Sequence, residues 1–197
     1  MIPKIIYTIW ISENPLPEDL KEWSKTHQVQ PGFENRFITL DNCIRGIRYV
    51  EEAIAAKKWI KVTDYLRMFY LYKTGGIYLD CDMEILKPLD DLLDNRLFVC
   101  RENEKVIANS VIGAEKENIL IKKYLELAED NFRGGGSMIF EPAERLFTDL
   151  IMGTYGDFGE TKIYPEEYFF PYNEKTGETN ITPNTHIFHH FKRSWKK

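Results

Sequence analysis

Apolar and polar positions alternate along the chain with two different periods. Residues 5–11 form an unbroken β-branched and aromatic run, the pattern of a buried strand, and Asn14-Pro15-Leu16-Pro17 ends it. Pro17-Glu18-Asp19 opens a helix, its early acids suiting the N-terminal dipole, and Leu20, Trp23 and His27 follow at helical spacing. Residues 33–40 read as a second strand and residues 49–57 as a short helix. Residues 60–74 give the clearest helix, apolar on nearly all sides and therefore buried. Gly75 and Gly76 end it, and Ile77-Tyr78-Leu79 makes a short strand that runs into Asp80-Cys81-Asp82. Strands at residues 97–100 and 106–112, an amphipathic helix over 118–131, a flexible Gly-Gly-Gly-Ser loop at 134–137 and a helix over 141–152 follow. From Thr161 the chain is rich in proline and aromatics. The alternation of strands and helices predicts an α/β fold with a mostly parallel central sheet. Ligands of such sheets sit at the carboxyl ends of strands, which is where Asp80 and Asp82 fall.

Composition narrows the classes. The chain has 197 residues and a net charge of −5, so it lacks the basic footprint of a nucleic-acid binder. Cys43, Cys81 and Cys100 are odd in number and form no CxxC pair, which reads as free thiols in a reducing compartment. No apolar run approaches the roughly 20 residues of a membrane span, and the opening residues lack a signal-peptide layout. The expectation is a soluble, cytoplasmic protein. Lys192, Arg193, Lys196 and Lys197 make either a solvated basic tail or a contact to an anionic membrane surface, at the inner face of the membrane.

Candidate chemistry concentrates in one stretch. Asp80 and Asp82 share one face of an extended segment, about 6.6 Å apart along the chain. Their oxygens suit a hard cation such as Mg²⁺ or Mn²⁺, while two solvated turn acids would give the same pattern. Asp64 and Arg67 are the only charges between Lys61 and Lys73 and lie three apart, on one helical face. They form either an internal ion pair or a charge pair delivered into a site, Arg67 offering fork geometry to an anionic ligand. The short Gly75-Gly76 connection lets all four charges converge on one pocket.

These residues carry a resemblance. Asp64-Tyr65-Leu66-Arg67, followed by Leu71-Tyr72-Lys73-Thr74-Gly75-Gly76-Ile77-Tyr78-Leu79-Asp80-Cys81-Asp82, closely resembles the DxD-containing sugar transferases of glycosyltransferase family 32. It is also similar to the signature of the large clostridial glucosylating toxins. The opening Ile2-Pro3-Lys4-Ile5-Ile6-Tyr7-Thr8-Ile9-Trp10, the segment Lys87-Pro88-Leu89-Asp90 and the closing His189-His190-Phe191-Lys192-Arg193-Ser194-Trp195 look like the same family. The resemblance implies a GT-A fold, a nucleotide-sugar donor and transfer with retention of anomeric configuration. It implies one domain, with a donor-binding half over residues 1–112 and an acceptor-side half and C-terminal lid over 113–197. By position, Asp64, Arg67, Asp80 and Asp82 would be the catalytic group, with Asp64 and Arg67 at the donor sugar. Asp80, Asp82 and His190 would hold Mn²⁺ or Mg²⁺. His190 takes that place because it stands five before Trp195, where related toxins carry a metal-binding carboxylate. Trp10, Tyr78, Asn109, Ser194 and Trp195 would contact the donor, Trp10 stacking near the base. Ser194 departs from the family pattern, since Arg193 stands where related sequences place serine. The implied partners are a nucleotide sugar, UDP-hexose being favoured, and a saccharide or lipid-linked saccharide acceptor.

Two rival classes share the features. A phosphatase of the haloacid-dehalogenase type also places DxD after an apolar strand, but Cys81-Asp82-Met83-Glu84 lacks the Gly and Thr such a nucleophile wants nearby. A non-catalytic nucleotide-sugar or carbohydrate-binding module would use the same residues without turnover.

Overall fold

The structure, a computed structural model, describes residues 1–133 and 143–192. The loop expected at residues 134–137 lies outside the described residues, as do Ser194 and Trp195. Among the described residues, eight strands and five α-helices follow one another: β1 (Ile5–Trp10), α1 (Glu18–Gln28), β2 (Glu34–Thr39), α2 (Arg48–Ala55), α3 (Trp59–Thr74), β3 (Gly76–Leu79), β4 (Met83–Ile85), β5 (Leu97–Cys100), β6 (Val111–Ala114), α4 (Ile119–Arg133), α5 (Ala143–Ile151), β7 (Lys162–Tyr164) and β8 (Ile187–His189).

Six strands form one sheet in the order β2-β1-β3-β6-β5-β7, and β4 pairs with β8 in a separate two-stranded sheet. Strands β2, β1 and β3 are parallel, β6 runs antiparallel to both β3 and β5, and β7 is parallel to β5. The sheet is mostly parallel, as expected, and β6 supplies the reversal. Alternation divides the strands between two cores. Tyr7, Ile9, Tyr78 and Val99 face a core built with α2, α3, α4 and α5. Ile6, Ile77, Leu79, Phe98 and Cys100 face a second core that includes Met83, Ile85 and Ile187 of the small sheet.

Local chemistry explains the boundaries. Gly75 and Gly76 both have positive φ, and a Cβ on Gly76 would meet the Ile5 carbonyl oxygen at 2.7 Å. That pair lets α3 turn straight back into β3 beside β1. At Gly113 a Cβ would lie 2.0 Å from the Phe98 ring, so only glycine lets that buried ring cross β6. Asn118 caps α4, its side-chain oxygen accepting the N–H groups of Leu120 and Ile121.

The strand expected at residues 106–112 begins instead at Val111. Asn103 accepts the N–H groups of Lys105 and Val106 in a local turn, and the Asn109 carbonyl is drawn to Arg67, so the segment between serves a loop. Strands β4, β7 and β8, at three residues each, are too short to show a period. All three cysteines are free and buried. No helix among the described residues is long and apolar enough to cross a membrane.

Helix α1 is tied to β1 and β4 through buried His27. His27 Nε2–H donates to the Met83 carbonyl (2.6 Å), and Nδ1 hydrogen-bonds the Thr8 hydroxyl (2.8 Å). Burial lowers the His27 pKa to about 4. A ring held neutral by the fold stabilises it fully above the ordinary value near 6.5 and loses that contribution as pH falls from there toward 4. From pH 7.5 to pH 5 the loss is about 2 kcal/mol. Urea unfolding at the two pH values should show that component in the unsubstituted chain and lack it in His27→Phe.

Candidate active site

The site grows from the end of β3. Asp80 N–H donates to the Ser110 carbonyl at 2.9 Å, extending the β3–β6 ladder by one step, and Met83 N–H closes a turn on the Asp80 carbonyl at 3.2 Å. The turn over Cys81 and Asp82 brings one oxygen of each carboxylate within 4.8 Å of the other. Cys81 is buried instead, its Sγ 3.5 Å from the Ile9 carbonyl in the core.

Arg67 reaches this end of the sheet from α3. It is 5% exposed, and its guanidinium lies 4.5 Å from the Tyr78 ring centroid. Nη2 is 3.1 Å from Asp64 Oδ1, and Nη1 is 3.4 Å from Asp80 Oδ1. Nη1 also donates to the Asn109 carbonyl at 2.6 Å. The Tyr78 hydroxyl donates to Asp80 Oδ1. Asp64, Arg67, Tyr78, Asp80 and Asn109 therefore form one connected group, with Asn109 contributing its backbone oxygen. Burial pushes the Asp64 carboxyl up, and Arg67 opposes it; the same two effects act in the same senses on Asp80, where the Asp82 charge adds to the rise.

Asp82 is held by the C-terminal segment. Its carbonyl accepts the His190 N–H (2.9 Å), Oδ2 accepts the Lys192 N–H (2.9 Å), and Oδ1 lies 3.3 Å from His189 Nε2. Burial works to raise the Asp82 pKa, but the His189 and Lys192 bonds outweigh it and hold the carboxyl below its ordinary range. Burial likewise works against charge on His189, and Asp82 outweighs it, so the ring's pKa is raised.

One oxygen each from Asp80 and Asp82 and one nitrogen of His189 lie within 4.8 Å of one another. Two carboxylates and an imidazole suit a divalent cation, and His189 Nδ1 is buried with no hydrogen-bond partner, so the ring has a nitrogen to spare. The donor set fits a metal ion, which would bind the neutral imidazole and the ionised carboxylates.

The histidine that joins the two acids is His189, whereas position relative to Trp195 pointed to His190. The reason is strand alternation: Ile187 and His189 face inward in β8, and Phe188 and His190 face outward. His190 Nε2 instead bonds Glu84 Oε2 at 2.9 Å, and the ring stacks on Trp23 with centroids 3.9 Å apart. Continuing inward from core-facing Ile187 would have reached His189 from the sequence. Trp10 closes β1 at the same sheet end, half-buried, its Nε1–H donating to the Asn14 carbonyl at 2.9 Å.

The Asp80-Cys81-Asp82 motif falls inside a match, over residues 5–99, to the glycosyltransferase sugar-binding region containing the DXD motif. Over 99% of its length the chain is 31% identical to an uncharacterised glycosyltransferase of Acanthamoeba polyphaga mimivirus, of which it covers 84%. The chain belongs to the DXD-containing glycosyltransferases. A Yersinia ruckeri toxin is 33% identical over 52% of the chain, and inositol phosphoceramide mannosyltransferase 3 of Schizosaccharomyces pombe is 32% identical over 58%. The chain spans only 5% of that toxin and 34% of that mannosyltransferase. Among solved structures, PaToxG glycosyltransferase superposes with a TM-score of 0.64 at 23% identity, covering 78% of this chain and 70% of that one. A glycosyltransferase involved in glycosylation of the PBCV-1 major capsid superposes at 0.54 and 10% identity, covering 95% and 93%. The fold is GT-A.

His189→Ala should raise the Mn²⁺ dissociation constant by about tenfold or more, since it removes a ligand. His190→Ala should leave a smaller effect. Mn²⁺ titration followed by electron paramagnetic resonance separates the two; equal losses would refute the assignment.

Proposed function

We propose that this glycosyltransferase is a metal-dependent, retaining hexosyltransferase that moves a hexose from a UDP-sugar to a saccharide or lipid-linked saccharide acceptor, in polysaccharide or glycolipid biosynthesis. The observation that carries the reading is the convergence of Asp80, Asp82 and His189 on one point, with Arg67 and Asp64 beside it. Asp80, Asp82 and His189 would hold Mn²⁺ or Mg²⁺, which supplies charge neutralisation for the diphosphate leaving group. Asp64 and Asp80 accept hydrogen bonds from donor hydroxyls and fix the sugar's orientation. Arg67 places a permanent positive charge, already oriented by four partners, next to the bond that breaks. Trp10 stacks on the base. Residues 1–112 bind the donor; residues 113–197 face the acceptor.

Buried acids and a buried cation that need one another are poor stabilisers but a good preorganised site, which supports a catalytic use of the cluster. The mannosyltransferase relative is named for a lipid, inositol phosphoceramide, which supports a lipid-linked acceptor and work at a membrane surface.

Thermal unfolding with Mn²⁺ and a series of UDP- and GDP-sugars tests the proposal. A donor at 100 times its dissociation constant adds about 2.7 kcal/mol, a shift of roughly 5–10 °C for a domain this size. The shift should require Mn²⁺, select a UDP-sugar and vanish in Asp82→Ala. Selection of a GDP-sugar would overturn the donor assignment, and a donor shift with no sugar transfer to any acceptor would leave a binding module.

A further inference from the structure

Asp82 and His189 belong to different segments, and the clip that brings them together, β4 paired with β8, has only two strands of three residues. Such a ribbon is not stable by itself. Its backbone also poses a problem. Asp82 and Glu84 turn their backbone groups toward the C-terminal segment, so Met83 and Ile85 turn theirs to the opposite edge. Met83 and Ile85 are buried, and unpaired backbone groups there would cost stability.

Helix α1 meets that edge with side chains in place of a third strand. His27 Nε2–H donates to the Met83 carbonyl at 2.6 Å, and Thr26 Oγ1 accepts the Ile85 N–H at 2.9 Å. One and two turns earlier on the same face, Trp23 stacks on His190 with planes 6° apart, and Asp19 pairs with Lys192. The four contacts bracket the two ligands in sequence: Met83 follows Asp82 directly, and His190 follows His189.

We infer that helix α1 positions the cation site, with His27 and Thr26 holding the strand that carries Asp82 and Trp23 and Asp19 holding the segment that carries His189. The inference rests on the metal reading of the Asp80–Asp82–His189 group. None of the four residues touches the cation or the donor; they act as positioning residues through the β4 and β8 backbone. A helix that merely packed against the small sheet would bury apolar side chains there, but His27 and Thr26 spend their polar atoms on two backbone groups of the outer edge of β4.

The test is Mn²⁺ affinity, read by electron paramagnetic resonance on the full chain. His27→Phe keeps the volume and removes the donor; it should weaken Mn²⁺ binding by about tenfold or more. Thr26→Val should weaken it in the same direction, and Thr26→Ser should restore it. Leu150→Ala, which opens a cavity in α5 on the opposite face, should lower the melting temperature and leave Mn²⁺ affinity unchanged. Wild-type affinity in folded His27→Phe and Thr26→Val would overturn the inference, as would an equal loss in Leu150→Ala. Should His27→Phe fail to fold, the Thr26 pair decides. No Mn²⁺ binding by the unsubstituted chain would instead overturn the metal reading and the inference with it.

Discussion

The arrangement turns on one buried cation. Arg67 sits almost without solvent, and its charge is tolerable there because Asp64, Asp80, the Asn109 carbonyl and the Tyr78 ring surround it. Those partners come from α3, the end of β3 and the loop before β6. Pairing the two terminal nitrogens of one guanidinium therefore fixes three elements relative to one another. Removing one partner of a buried pair costs several times what the intact pair contributes, so the group resists piecemeal change. The geometry of Asp80 follows from it, and the geometry of Asp82 follows from Asp80 through the short turn they share.

Much of this was written in local sequence. The β1 run, the apolar α3 helix, the Gly75-Gly76 turn and the placement of two acids after β3 each depend on neighbours within a few residues, and the pattern reports them faithfully. The convergence of Asp64 and Arg67 on Asp80 was also legible, because one helix and one short turn connect them. Strand β6 was legible in part: its apolar residues were visible, but the start of pairing depended on Asn103 and on a carbonyl drawn away by Arg67.

What local pattern did not carry was pairing at long range. Strands β4 and β8 are three residues each, too few for a period to declare itself, and their pairing decides which histidine faces inward. The expectation set His190 beside the two acids, and His189 lies there instead, because Ile187 and His189 share the inward side of β8. The polar attachments of α1 were hidden for the same reason: His27 and Thr26 look like ordinary residues of an amphipathic helix until their partners on β4 are known.

The pairing has an entropic side as well. The contact between Glu84 and His190 spans 106 positions of chain. Closing so long a loop is entropically costly and, once done, secures only a ribbon of three-residue strands. In the main sheet Ile5 of β1 meets Glu34 of β2, and Ile6 meets Ile77 of β3, over shorter spans and with longer strands. A ribbon this small draws its stability from the elements packed around it and little from its own pairing. A ligand held by both Asp82 and His189 would tie the same two distant segments a second time, and so would stabilise the part of the fold that has the least support of its own.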